Sequence, residues 1–89
     1  MDFEWDEAKA NANQLKHGID FADVAPCFDD ERALTLADSD SEGEERFLMV
    51  AVDAYGRILV TSFVYREASI RIISSRKASP GECRRYEKL

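Results

Sequence analysis

The side chains able to do chemistry in this 89-residue chain are arginines, one histidine and a tail of hydroxyls and cations. Arg46 opens one segment rich in Val, Ile, Phe and Tyr, Arg66 closes the next, and Arg71, Arg76 and Lys77 lie along the third. A guanidinium offers a planar, bidentate donor fork and keeps its charge, so clustered arginines suit phosphate or carboxylate oxygens. His17, the single histidine, follows Lys16. A histidine ordinarily titrates near neutrality, which allows acid–base work, but at the end of a helix it also serves as a capping cation. Simpler uses stand beside each of these. Strand arginines pair with carboxylates such as Glu44, Glu45 or Glu67. Arg84, Arg85 and Lys88 can form a solvated helix face, and Phe3 and Trp5 belong to a core.

Several chemistries lack their residues. The chain has no P-loop, no GxGxxG, no GxSxG and no HExxH, the signatures of phosphate loops, dinucleotide folds, hydrolase elbows and zincins. Cys27 and Cys83 have no CxxC spacing and one histidine to join them, so neither a zinc site nor any other cofactor is expected. They read as unpaired thiols of a reducing compartment. No stretch approaches the ~18 apolar residues of a membrane span. The opening Met-Asp-Phe-Glu-Trp-Asp-Glu is acidic where a signal peptide is basic, so the expected location is the cytoplasm.

The net charge of −6 conceals a division. Residues 1–45 carry 14 acidic and 3 basic side chains, whereas residues 46–89 carry 4 acidic and 9 basic ones. The overall field repels polyanions, so a nucleic-acid surface must be a local patch built from the second half.

The elements that must position these groups are marked by caps and turns. A chain this short makes one domain, residues 1–89. Phe3 to Trp5 reads as a short strand. Asp6 is an N-cap and Gly18 the C′ residue of a helix, with Ala8, Ala12 and Leu15 as its expected apolar stripe. Asp20 starts a second helix through Phe21, Val24, Ala25 and Phe28, shortened or kinked by Pro26. Arg32 to Asp38 alternates weakly as a strand, and 38–43 is a polar loop. Glu45 to Val52, Arg57 to Tyr65 and Ile70 to Arg76 are the clearest strands, joined by connections short enough to demand antiparallel neighbours. Ser79, Pro80 and Glu82 form a capping box that starts a last helix. The expected fold is α+β: two N-terminal helices packed on a four-stranded antiparallel meander, with a C-terminal helix. In that meander Arg46, Arg66 and Arg71 meet at one edge. Strict alternation sets Ile70, Ile72, Ser74 and Arg76 on one face of the last strand, and Arg71, Ile73, Ser75 and Lys77 on the other.

Several strings, in order and nearly end to end, resemble the BrnT toxin family. They are Phe3-x-Trp5-Asp6-x-x-Lys9, Asn13-x-x-Lys16-His17-Gly18-Ile19-x-Phe21, Gly43-Glu44-Glu45-Arg46, Tyr65-Arg66, Ile70 through Ala78, and Glu82-x-x-x-Tyr86. The resemblance implies a RelE-like fold and an endoribonuclease toxin of a type II toxin–antitoxin system, cleaving RNA without a metal and arresting growth. It implies a BrnA-like, ribbon-helix-helix antitoxin as partner, with DNA reached only through that partner and no membrane involved. On this reading Arg46, Arg71 and Arg76 stabilise the phosphorane. His17 is the available acid or base, and Glu45 is a base or orients Arg46. Lys16, Arg66, Lys77 and Tyr86 contact RNA. A degenerate, non-catalytic corepressor that keeps the fold and the antitoxin contact is the alternative.

Overall fold

The computed structural model describes residues 1–38 and 43–88. Local chemistry explains where its elements begin and end. Helix α1 (Glu7–His17) starts where Asp6 Oδ1 accepts the Lys9 amide at 3.0 Å, and it stops at Gly18, whose φ of 71° suits a residue without a Cβ. Asp20 caps the next turn through the Ala22 amide at 2.9 Å. No second α-helix follows. Pro26 has no N–H to donate back to Ala22, so the segment tightens into two 3₁₀ turns, Phe21–Asp23 and Ala25–Asp29. Helix α2 (Pro80–Glu87) carries the complete capping box of Ser79 and Glu82 with Pro80 in its first turn.

Five strands make the sheet: β1 (Asp2–Glu4), β2 (Leu34–Ala37), β3 (Phe47–Val52), β4 (Ile58–Arg66) and β5 (Ser69–Lys77). Their order is β1-β5-β4-β3-β2. The last four strands form the expected antiparallel meander. The expectation of a purely antiparallel four-stranded sheet is corrected by β1, which adds in parallel to β5, Phe3 lying beside Ile70. A three-residue strand carries no pairing signal of its own; burial of Phe3 against Phe28 chooses its place. The polar loop expected over 38–43 lies mostly outside the described residues. Among the described residues no helix is long and apolar enough to cross a membrane.

One face of the sheet, here the inner face, carries the core. Met49, Ala51, Leu59, Phe63, Ile70 and Ile72 pack against Ile19, Phe21, Val24 and Cys27, with Trp5 edge-on to Phe21. Two sequence expectations fail in this packing. Leu15 is 90% exposed and Ala8 and Ala12 are also exposed; α1 instead turns Ala10, Asn13 and His17 inward. The reason is Asn13, whose amide makes three buried hydrogen bonds described below. The second correction concerns β5. Ser62 pairs with Ser74 but Phe63 pairs with Ile72, so Ile73 is an extra residue, a β-bulge. The bulge breaks strict alternation. Ile70 and Ile72 face the core, as does Ser75, whose hydroxyl meets that of Thr61 at 3.0 Å. Arg71, Ser74 and Arg76 therefore share the outer face, instead of Arg71 opposing Arg76.

Candidate active site

The outer face is built in rows across the strands. One row is Leu48, Ser62 and Ser74, and the next is Val50, Val60 and Arg76. On the other side of the first row Val64 pairs with Arg71, and the alternation of β3 places Arg46 on the same face. The bulge is what permits this. Arg71 and Arg76 are five apart in sequence, a separation that an unbroken strand puts on opposite faces.

Helix α1 supplies the rest. Asn13 is 6% exposed and grips the edge of β5 beyond the reach of β1. Its Oδ1 accepts the Ser75 amide at 3.0 Å, and its Nδ2 donates to the Ser75 carbonyl at 2.9 Å and the Ile19 carbonyl at 3.1 Å. A side-chain amide thus takes the place of a neighbouring strand. This clamp sets the last turn of α1 against β5, and Lys16 and His17 reach the outer face there. Together with Ser62, Ser74 and Arg76 they line an open cleft of about 400 Å³, floored by Leu48 and Val60.

Carboxylates hold Arg66, Arg71 and Arg76 on this face. Arg76 is bidentate to Glu82, its Nη1 and Nη2 donating to Oε1 and Oε2 at 2.8 and 2.9 Å. Glu82 Oε1 also accepts the Ser79 amide at 2.8 Å, so the capping box of α2 fixes Arg76 as well. The Arg76 guanidinium, with the capping bonds, holds the Glu82 carboxyl down to about 2. Near the opposite end of β5, Arg71 and Arg66 share Glu4 Oε1 at 3.6 and 3.9 Å, and Arg66 also meets Glu44 at 3.1 Å. All these pairs are partly exposed, with side-chain exposures from 29% to 46%.

The candidate residues therefore fall into groups. Lys16, His17 and Arg76 are brought together in the cleft. Arg66 and Arg71 form a second cluster on the same face. Arg46 and Glu45 are exposed just ahead of β3, and among the described residues neither holds an ion pair closer than 4.0 Å. Lys77 is exposed beside Arg76 but follows the opposite strand parity. Tyr86, expected to contact RNA, packs as an anchor between α2 and the loop at Asp30. The residue is 6% exposed, and its hydroxyl donates to Asp30 Oδ2 at 2.6 Å. Burial favours protonation of Asp30, but bonds from Tyr86 and the Val52 and Arg32 amides outweigh it and hold the carboxyl below its ordinary value. Sequence reasoning gave Asn13, Ser62 and Glu4 no role. Only Asn13 left a trace, as a polar residue in a helix whose true inward face repeats at 10, 13 and 17.

Comparison with known proteins agrees with this architecture. The family described as the ribonuclease toxin BrnT of type II toxin–antitoxin systems matches residues 5–82. The crystal structure of the Brucella abortus ribonuclease toxin BrnT is similar, with a TM-score of 0.70 and 27% identity, covering 89% of this chain and 97% of that one. No curated protein matches the sequence. With 78 of its 89 residues matched in one continuous span, the chain belongs to the BrnT family of type II toxin–antitoxin ribonuclease toxins.

Proposed function

We propose that this chain is an endoribonuclease toxin that cleaves RNA on the outer sheet face without a bound metal, suppresses translation and growth, and is neutralised by a ribbon-helix-helix antitoxin. The observation that carries this reading is the convergence of Lys16, His17 and Arg76 in one open cleft, with Arg71 on the same face. Cleavage by transesterification needs three things. The 2′-hydroxyl gives up its proton as its oxygen bonds to phosphorus, the phosphorane charge is stabilised, and the departing 5′-oxygen takes a proton as its bond to phosphorus breaks. His17 is the acid or base of the cleft. Arg76, Arg71 and Arg46 present fixed donors to the developing charge, commonly the largest catalytic contribution. Lys16, Arg66 and Lys77 bind flanking phosphates, and Glu45 acts as base or orients Arg46.

The corepressor reading draws support from the carboxylate partners of Arg66, Arg71 and Arg76. Those pairs are partly exposed, as expected of groups that exchange a carboxylate for a phosphate, and the cleft is open. Growth and bulk translation after expression of the chain, beside an Arg46→Ala, Arg76→Ala double variant at matched level, test the proposal. Purified proteins are assayed on RNA with and without EDTA. The expected result is growth arrest and EDTA-insensitive cleavage, with the double variant at least ~100-fold slower. Folded variants as active as the parent overturn the arginine roles, and an inert parent that still binds antitoxin establishes the corepressor.

A further inference from the structure

The floor of the cleft holds two hydroxyls that the fold does not use. Ser62 and Ser74 face each other across β4 and β5, in the row that Leu48 begins. One position along, on the inner face, Thr61 and Ser75 are fully buried and their hydroxyls meet at 3.0 Å. The outer pair stays open: among the described residues neither Ser62 nor Ser74 makes a side-chain hydrogen bond. Ser62 is nonetheless only 8% exposed, and it lines the cleft. Its outward neighbours on β4 are Val60 and Val64, so a branched aliphatic residue would suit the strand at its place. Serine gives up that packing, deepens the depression and leaves a donor and an acceptor on its floor.

The cations around this floor can bind a phosphate but cannot recognise a hydroxyl by its proton. Lysine and arginine only donate, and His17 has at most one acceptor nitrogen. Ser62 and Ser74 both donate and accept. As cross-strand partners their Cβ atoms stand roughly 5 Å apart, close enough for one sugar and its phosphate to meet both. Two neutral hydroxyls beside Lys16, His17 and Arg76 therefore fit a group in which an anionic phosphate adjoins a proton-bearing oxygen. The floor itself, Leu48, Val60 and the two serines, has no ring on which a base could stack. We infer that Ser62 and Ser74 form a ribose subsite, accepting from the 2′-hydroxyl and donating to the phosphate on the neighbouring 3′-oxygen. The cleft then takes ribonucleotides in preference to deoxyribonucleotides, whatever the base. This inference rests on the reading of the cleft as the RNA site and adds the residues that select the sugar.

The test titrates the full, isotope-labelled chain with the four ribonucleoside 3′-monophosphates and their 2′-deoxy counterparts, followed by NMR. Both sets keep the phosphate and neither can be cleaved, so the ratio of their affinities isolates the 2′-hydroxyl. The parent should bind each ribonucleotide at least ~threefold more tightly than its deoxy form, the worth of one ordinary hydrogen bond, with shifts at the Ser62 and Ser74 amides. A Ser62→Ala, Ser74→Ala double variant should bring that ratio to about one. It should also melt no lower than the parent, since no hydrogen bond within the protein is lost. Ser74→Thr, which keeps the hydroxyl, should keep the ratio. Equal affinity of the parent for both sets, or no measurable binding of either, overturns the subsite, as does an unchanged ratio in the double variant. A preference that follows the base instead of the sugar assigns the serines to base reading and also overturns it. A markedly lower melting temperature of the double variant shows that the hydroxyls serve the fold, with the same consequence. If the double variant loses the ratio while the parent cleaves no RNA, the ribose subsite stands and the nuclease reading falls. If the parent cleaves RNA and the ratio survives the double variant, the subsite falls and the nuclease reading stands.

Discussion

Asn13→Leu keeps the size of the side chain and removes every hydrogen bond it makes. Three backbone groups then lose a partner: the Ser75 amide, the Ser75 carbonyl and the Ile19 carbonyl. A buried polar group left unpaired costs ~1–3 kcal/mol, and three such groups give roughly 3–9 kcal/mol. Burial of the new leucine returns ~1.5–3 kcal/mol, so a net loss of roughly 1.5–6 kcal/mol is expected. Against a total stability of ~5–15 kcal/mol this is a large share. Urea unfolding measures it; with a slope of ~1–1.5 kcal/mol per molar, the midpoint should fall by at least about 1 M. Asn13→Asp sharpens the test. It keeps an oxygen for the Ser75 amide but turns a carboxylate toward the two carbonyls, which disfavours the ionised form. That variant should be strongly destabilised at pH 7 and regain stability relative to the parent as pH falls toward 4, where a protonated carboxyl again donates. If Asn13→Leu unfolds within ~0.5 kcal/mol of the parent, the range of an ordinary surface change, then the amide does not close the edge of β5 and the account of α1's placement is wrong.

Other consequences concern neighbouring contacts. Glu82 is held at about 2 chiefly by Arg76, so it contributes stability that is present above the ordinary carboxylate range and lost as pH falls through about 2. Chemical denaturation between pH 5 and 2 should show that decline, and Arg76→Met should flatten it; equal pH slopes in both proteins would show that the pair does not form in solution. Tyr86→Phe deletes the 2.6 Å bond to Asp30 while leaving the Val52 and Arg32 amides in place, and should cost ~1–2 kcal/mol in urea unfolding. An unchanged midpoint would refute the anchor. Burial, helped by the carboxylates of Asp53 and Asp30, pushes the Cys27 thiol up to about 12, so Cys27 should resist an aromatic disulfide reagent at pH 8 until urea is added. Rapid native labelling at Cys27, read by peptide mass, would contradict that burial.

The parts of the fold that were legible in the sequence are those with short-range causes. Asp6 with Gly18, and Ser79 with Pro80 and Glu82, mark helix ends because a cap acts within four residues. β3, β4 and β5 declare themselves by density of branched and aromatic residues, and their short turns dictate antiparallel pairing. What was not legible depends on partners remote in sequence. The bulge at Ile73 has no glycine to announce it, and only the pairing of Phe63 with Ile72 reveals it. The inward face of α1 is decided by Asn13 meeting Ser75, 62 residues later, against the local evidence of Ala8, Ala12 and Leu15. For the candidate site, residue types were legible and placement was not. Lys16 and His17 adjoin Arg76 because of that same amide, and Tyr86 is buried because its hydroxyl finds Asp30.

The acidic composition and a basic working face are reconciled by distance and pairing. Arg46, just ahead of β3, and Arg71, on β5, stand about two strand spacings apart, roughly 10 Å, which is close to the screening length of ~8 Å at physiological ionic strength. A phosphate on the outer face therefore responds mainly to the charges beside it, which include Glu4 and Glu44 of the acidic half as well as the arginines. The nearest carboxylates have another effect. Glu4, Glu44 and Glu82 hold Arg66, Arg71 and Arg76 at 2.8 to 3.9 Å in positions that long side chains would otherwise lose to rotamer freedom. Each pair is partly exposed, so exchanging its carboxylate for a phosphate carries a small penalty compared with a buried pair. On the proposed reading, the face is kept folded and nearly neutral until an anion of higher charge arrives.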